Sequence, residues 1–523
     1  MPLPALSNPG LERFLATAEP VAALAAWDAL TRCDAAPPDA AAVLASIRRA
    51  IAEIDRLLTR QVNAILHHPQ FQRLEAAWRG VRHLIDRTEG EHEQILIRVL
   101  SVRWTELARD FDRATEVERS ALFQKVYDEE FGQPGGIPYS VLIGDYQVRL
   151  RPDDEQPTND LDVLRSIAQV GSAAFAPFIT SVHPSFLGLD RFDALGPRLN
   201  LERRFASIEY AAWHRLRREA DAKFIGLVAP RVLLRRPYAP GAVMVRVAQC
   251  GACGTRLERG SGACATCGAA WDVRNRATYR EARRGFRFEE DVCDPRGDGY
   301  LWGNAAFAFG GVLIRAFLDH AWLADIRGFQ RDTDAGGIVS GLPADEFGLD
   351  SPGVVSKFST DVRLDERFDR EVSEHGLIPL CHCHDTPFSV FYSNRSIHVA
   401  ERYASAAEDM NARMTAMLQY TLCLSRFAHY VKVLGRDKIG SRSEVEQIQS
   451  ELSEWLHQYV TADSQASAET KARHPLREAD VAVKPVPGKP GMYQCQMKLW
   501  PHFQLDELAF AVRLVTTARG LGT

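Results

Sequence analysis

The sequence predicts a mixed α/β (α+β) protein, in which layered mixed sheets are flanked by helices and a small zinc ribbon is inserted. Three observations carry that prediction. Between residues 71 and 235 short apolar runs alternate with helical patterns, the order that stacks helices on a sheet. Near the C-terminus two β-runs are joined by Pro487-Gly488-Lys489-Pro490-Gly491, which is turn chemistry. Between these regions two Cys-x-x-Cys pairs interrupt the pattern, ten residues apart.

The bulk numbers allow such an architecture. With 523 residues and 46% hydrophobic content, the chain can build a core in each of two or three domains. A net charge of -5 gives no global reason to expect nucleic acid or an anionic membrane as partner. The N-terminus lacks a basic segment followed by an apolar one, and no stretch reaches the length of a membrane span, so a cytoplasmic protein is expected. Four of the ten cysteines fall in the two pairs and the rest are scattered, which fits a reducing compartment with one metal site. The composition favours one part of a large assembly over an enzyme, since H-E-x-x-H and G-x-S-x-G are both missing.

Taken in order, residues 1–45 are rich in Ala and Pro and suit a flexible arm. Val43, Ile47, Ile51, Ile54, Leu57, Leu58, Val62 and Ile65 then recur at helical steps until Pro69. That is an amphipathic helix. Residues 95–100, 139–143 and 224–228 read as strands, and 160–176 and 210–222 as helices. Residues 303–325 are apolar on most faces, as a buried helix would be. A long helix is expected over 411–434, and Ser443-Glu444-Val445-Glu446 is a capping box opening an acidic helix through Trp455. Strands over 476–485 and 492–500 follow, with a last alternating strand carrying Leu508, Phe510, Val512 and Leu514. The resulting division is an arm (1–45), a main domain (46–375) interrupted by the ribbon (240–285), and a C-terminal domain (376–523) ending in strands.

Cys250, Cys253, Cys264 and Cys267 carry the strongest chemical signal. Two residues between thiolates let one turn present both sulfurs to one ion, and a second turn completes a tetrahedral set suited to a single structural Zn²⁺. Gly254 and Gly268 each follow the second cysteine of a pair, where a tight knuckle favours positive φ. Four thiolates leave no open position, which argues for a structural over a catalytic metal. The surrounding segment holds eight arginines (246, 256, 259, 274, 276, 280, 283 and 284) against Glu258, Asp272 and Glu281. Zinc among four thiolates lowers that local charge by about two. A solvated basic loop accounts for it as well as a nucleic-acid or protein surface does.

Other clusters have plainer readings. In a strand, Cys381 and Cys383 would point one way and His382 and His384 the other, giving buried thiols beside surface histidines. His67 and His68 end a helix, where imidazoles favour the dipole. Gly132 to Gly136 and Gly336-Gly337 read as turns, matching no phosphate-binding fingerprint.

Several strings, read in order, identify a resemblance. They include Ile65-Leu66-His67-His68-Pro69-Gln70-Phe71, Leu74-Glu75-Ala76-Ala77-Trp78-Arg79-Gly80 and Lys125-Val126-Tyr127-Asp128-Glu129-Glu130-Phe131-Gly132. Further along come Phe288-Glu289-Glu290-Asp291, Leu301-Trp302-Gly303-Asn304-Ala305-Ala306, Ser425-Arg426-Phe427-Ala428-His429-Tyr430 and Pro501-His502-Phe503-Gln504-Leu505. Over roughly residues 60 to 515 the chain resembles the large subunit of the type VI secretion contractile sheath (the TssC, VipB or ImpC family).

The resemblance implies a sheath-protomer fold that pairs with a small sheath subunit (TssB or VipA). It implies helical self-assembly around a tube of Hcp rings on a baseplate, ejection of the tube on contraction, and recycling by a ClpV-type unfoldase. In the family, neighbours are stitched by shared strands from the chain ends, a role the arm and the strand of Leu508, Phe510, Val512 and Leu514 would suit. Trp78 and Arg79 are interface candidates, with a core aromatic capped by a salt bridge as the alternative. The acidic helix of Glu444, Glu446, Glu451 and Glu454 reads as a solvated face. Against the family pattern the ribbon is an insertion of about forty residues on a surface loop, and residues 393–397 look divergent. Two other functions remain open on sequence: a zinc-ribbon module that binds nucleic acid or protein on an unrelated α/β scaffold, and a zinc-dependent enzyme.

Overall fold

The computed structural model describes residues 22, 40–90, 94–133, 135–196, 199–239, 241–250, 252–253, 263–264, 266–270, 279–292, 297–329, 334–347, 357–383, 386, 388–437, 445–463, 465–485, 493–502 and 512–517. Most of the expected arm, the turn at 487–491, the capping box Ser443-Glu444, His384 and the positions Leu508 and Phe510 lie outside them, while the arm's last residues, 40–45, open the Ala40–Leu66 helix instead. Two compact units emerge, Pro69–Arg236 with Pro295–Thr523, and Met1–His68 with Pro237–Asp294.

The larger unit is built on a four-stranded parallel sheet. Its order is Leu142–Val148, Phe178–Val182, Ile225–Ala229 and Ile378–Pro379. The two central strands are buried at every residue, as parallel strands covered on both faces must be. Side-chain alternation divides the interior into two cores. Phe178, Val182, Ile225, Leu227 and Ala229 pack with Leu161, Leu164 and Ile167 of the Asp160–Ala174 helix, while Ile179 and Val228 pack with the Ala305–His320 helix. The apolar stretch read as buried is that second helix.

Asn304 ties this helix to the sheet. Its side-chain oxygen accepts from Ala306 N–H at 2.8 Å, and its amide donates to the carbonyls of Gly144 and Tyr146 at 3.2 and 2.9 Å. Those carbonyls sit at the irregularity between Ile143 and Gln147, where the ladder to the next strand shifts register. Thr180 Oγ1 donates to the same two carbonyls, so the break leaves them satisfied.

The C-terminal part is a three-stranded antiparallel sheet, Leu476–Pro485, Tyr493–Pro501 and Val512–Thr517, packed under the Val445–His457 helix. Trp322 stacks on Phe427 with ring centroids 4.2 Å apart in the same core. In the smaller unit the Ala40–Leu66 helix meets a ten-rung hairpin, Gly241–Cys250 with Tyr279–Phe288. Asn63 Nδ2 donates to Glu289 O at 3.1 Å, and Thr59 Oγ1 to Arg287 O at 3.1 Å.

Several elements depart from expectation. Residues 95–100 form no strand and pair with none among the described residues, and Leu96, Val99 and Leu100 are exposed. The expected helix over 210–222 stops at Arg217 and resumes as a 3₁₀ turn over Ala220–Phe224. The one expected over 411–434 is two helices, Ala406–Thr415 and Leu418–Asp437, broken where Met417 bridges Arg395. The strand placed at 139–143 runs instead over Leu142–Val148. His382 is buried rather than on the surface, lying near the Phe358 ring.

Candidate metal centre and assembly edge

Cys250 closes the last rung of the hairpin, paired with Tyr279. Beyond it Cys253 sits in a turn, and the second pair forms another, with Gly268 N–H on Cys264 O and Cys264 N–H on Ala269 O, both at 2.8 Å. Gly268 takes φ +71°, the left-handed conformation its position after the second cysteine calls for. Gly254 lies outside the described residues.

The four sulfurs converge. Cys250 and Cys267 Sγ are 3.5 Å apart, Cys253 and Cys264 Sγ likewise 3.5 Å, and all four lie within 4.8 Å of one another. A tetrahedral tetrathiolate with ~2.3 Å Zn–S bonds places its sulfurs about 3.8 Å apart, so the set has the size such an ion demands. Cys250 and Cys264 are buried, Cys253 and Cys267 exposed. Backbone N–H groups of Cys253 and Ala252 point at Cys250 Sγ and hold that thiol below its usual range. Burial pushes Cys423 up to about 12 and Cys495 up to about 11, as expected of thiols packed in an apolar core.

The assembly candidates fall in the larger unit. Trp78 is 64% exposed on the Pro69–Arg87 helix, which rules out the reading of it as a core aromatic. Arg79 Nε bonds Glu75 Oε1 at 2.7 Å, and Arg235 shares that oxygen at 3.0 Å. Val512 pairs with Leu499 and Leu514 with Met497 in the closing strand. In this sheet Leu476–Pro485 and Val512–Thr517 are the two outer strands. The exposed run through Leu96, Val99 and Leu100 was read only as a strand; its lack of polar alternation was the signal that it lies on no half-buried sheet.

Two family descriptions match the chain. The EvpB/VC_A0108 tail sheath N-terminal domain matches residues 48–249 and 270–398, and the tail sheath gpW/gp25-like domain matches residues 407–518. The type VI secretion system sheath protein TssC1 of Pseudomonas aeruginosa is 36% identical over 474 residues, spanning 90% of this chain and 85% of that protein. Among the described residues no helix is long and apolar enough to cross a membrane.

Proposed function

The chain belongs to the EvpB/VC_A0108 tail sheath family, and from that premise we propose how its surfaces serve an assembly. It is a structural subunit of a type VI secretion sheath. The family is one of structural proteins, and this reading gives the chain no catalytic step. It pairs in the cytoplasm with a small sheath subunit of the TssB/VipA kind. The pair polymerises around an Hcp tube on a baseplate, expels the tube on contraction, and is recycled by a ClpV-type unfoldase.

The observation that carries the reading is the C-terminal sheet. Among the described residues its outer strand Val512–Thr517 pairs on one side only, whereas the outer edge of Leu476–Pro485 is already met at Leu476 by Tyr459 O and Thr461 N–H and at Val483, whose N–H donates to Gln449 Oε1 at 3.0 Å. Rows of backbone donors and acceptors along such edges take a strand from another chain, and in a monomer they invite aggregation. When such a contact joins two different edges and its rotation does not close, it propagates a helix of subunits.

Co-expression with a small sheath subunit should give hollow helical tubes by electron microscopy. A monodisperse complex that stays small at every concentration tested would sink the reading.

A further inference from the structure

We propose that Cys250, Cys253, Cys264 and Cys267 bind one Zn²⁺ as a closed tetrathiolate, at a site the sheath family does not share. The family match stops at residue 249 and resumes at 270, so the segment left out is residues 250–269, shorter than the insertion expected over 240–285, and it carries all four cysteines. The hairpin strands on either side are matched. The metal site is therefore set into the tip of a family hairpin. This goes beyond the sheath reading and does not depend on it.

Geometry selects the ligand. Sulfurs 3.5 Å apart in two pairs, all within 4.8 Å, are too far apart for disulfide bonds of ~2.05 Å and close to the edge of a tetrahedral ZnS₄ unit. On binding, each thiol gives its proton to solvent and its sulfur pair to the metal, and no oxidant or reductant is involved. Thiolate sulfur also suits iron, but in the affinity order of divalent ions zinc stands above ferrous iron.

The role follows from size. An insert this short buries too little apolar surface to fold alone, and a metal replaces the missing core. Zinc joins the end of the last hairpin rung, Cys250 with Tyr279, to the second turn at Cys264 and Cys267. Its effect is confined to the tip, and four ligands leave no position for catalysis.

The test uses the full chain, co-purified with its small sheath partner and dialysed against chelator. Elemental analysis should find one zinc per chain, released stoichiometrically when a mercurial titrates the thiols. Cys253→Ser and Cys267→Ser, the two exposed ligands, should each lower zinc at least ~tenfold, while Cys253→His, which restores a ligand nitrogen, should keep it. Trypsin should cut between residues 250 and 284 at least ~tenfold faster once the metal is stripped. Iron in place of zinc, two disulfides by mass, or metal-free protein with four titratable thiols would each overturn the proposal. The wild-type measurement stands even if a variant fails to fold. Tubes from the Cys253→Ser chain are expected as in wild type, so loss of zinc and loss of assembly are read separately.

Discussion

The Pro69–Arg87 helix has two apolar faces with opposite fates. One face, Ala76, Gly80, His83 and Leu84, is buried. The other carries Phe71, Leu74, Trp78 and Ile85, all exposed. A monomer would put its largest apolar side chains inside, and this helix does the reverse. Size decides which face is covered. The buried face carries the small residues Ala76 and Gly80 where the Ala305–His320 helix comes close enough that a Cβ on Gly80 would lie 2.2 Å from Phe307. Ile143 and Leu84 crowd Gly310 in the same way, at 2.4 and 2.8 Å. The larger, bare face is what a subunit built for contact with other chains retains.

The strongest way to break this contrast is to thicken the covered face. On an open helix Gly→Ala stabilises by about 1 kcal/mol through propensity. At Gly80 the sign should reverse. Three ring atoms of Phe307, including the one at the root of the ring, stand 2.2 to 2.6 Å from the new methyl, so rotating the ring does not relieve the clash. We expect Gly80→Ala to cost about 3 kcal/mol in denaturant unfolding. Adding Phe307→Leu should recover part of that loss. A single variant as stable as wild type would mean that the helices are free to part, and the close approach would lose its explanatory weight.

Acid probes the same face more gently. Burial, with Arg87 nearby, lowers the pKa of His83 to about 4 from its ordinary 6.5. The folded chain thus resists a proton that the unfolded chain accepts. The stabilisation is complete above pH 6.5 and is lost as pH falls towards 4, by up to about 3 kcal/mol for this group. His429, buried and hydrogen-bonded to Ala174 O, is also lowered to about 4, so only a difference isolates His83. Between pH 7 and 4.5 the His83→Leu chain should lose less stability than wild type. Equal losses would show that His83 is charged in the folded state and that this face is wetter than its burial implies.

How much of this was legible in the sequence depended on whether the signal was local. Cys-x-x-Cys spacing is covalent and short-ranged, so all four cysteines were named and the structure brings their sulfurs together. The strands read at 224–228 and 476–485, the helical pattern read from Val43 to Ile65 and the helix read at 160–176 fall on Ile225–Ala229, Leu476–Pro485, Ala40–Leu66 and Asp160–Ala174, since their periodicity is local. The break at Met417 did not, because it depends on a bridge to Arg395, a distant residue no local pattern reveals. His382 was misplaced because strand alternation assumes one wet face, and its short strand is buried on both. Trp78 was left between core and surface because the sequence shows an apolar helix without showing which face a glycine opens to its neighbour.

Trp78 gives the smallest effect on folding and the sharpest test of the bare face. Its ring is 64% exposed, so Trp78→Ala should leave the stability of the chain within about 0.5 kcal/mol of wild type. If that face is an interface, the same truncation removes a large aromatic anchor of the kind worth ~2 kcal/mol or more on association, and the concentration needed for tubes should rise at least ~tenfold. Arg79→Ala is the control beside it. Its guanidinium already bonds Glu75 on its own helix, so it should weaken folding by less than ~1 kcal/mol and assembly far less than Trp78→Ala does. Tubes forming from Trp78→Ala at the wild-type concentration would mean that the uncovered apolar face has no partner. The inversion of large and small residues on this helix would then serve only the packing of Gly80 against Phe307.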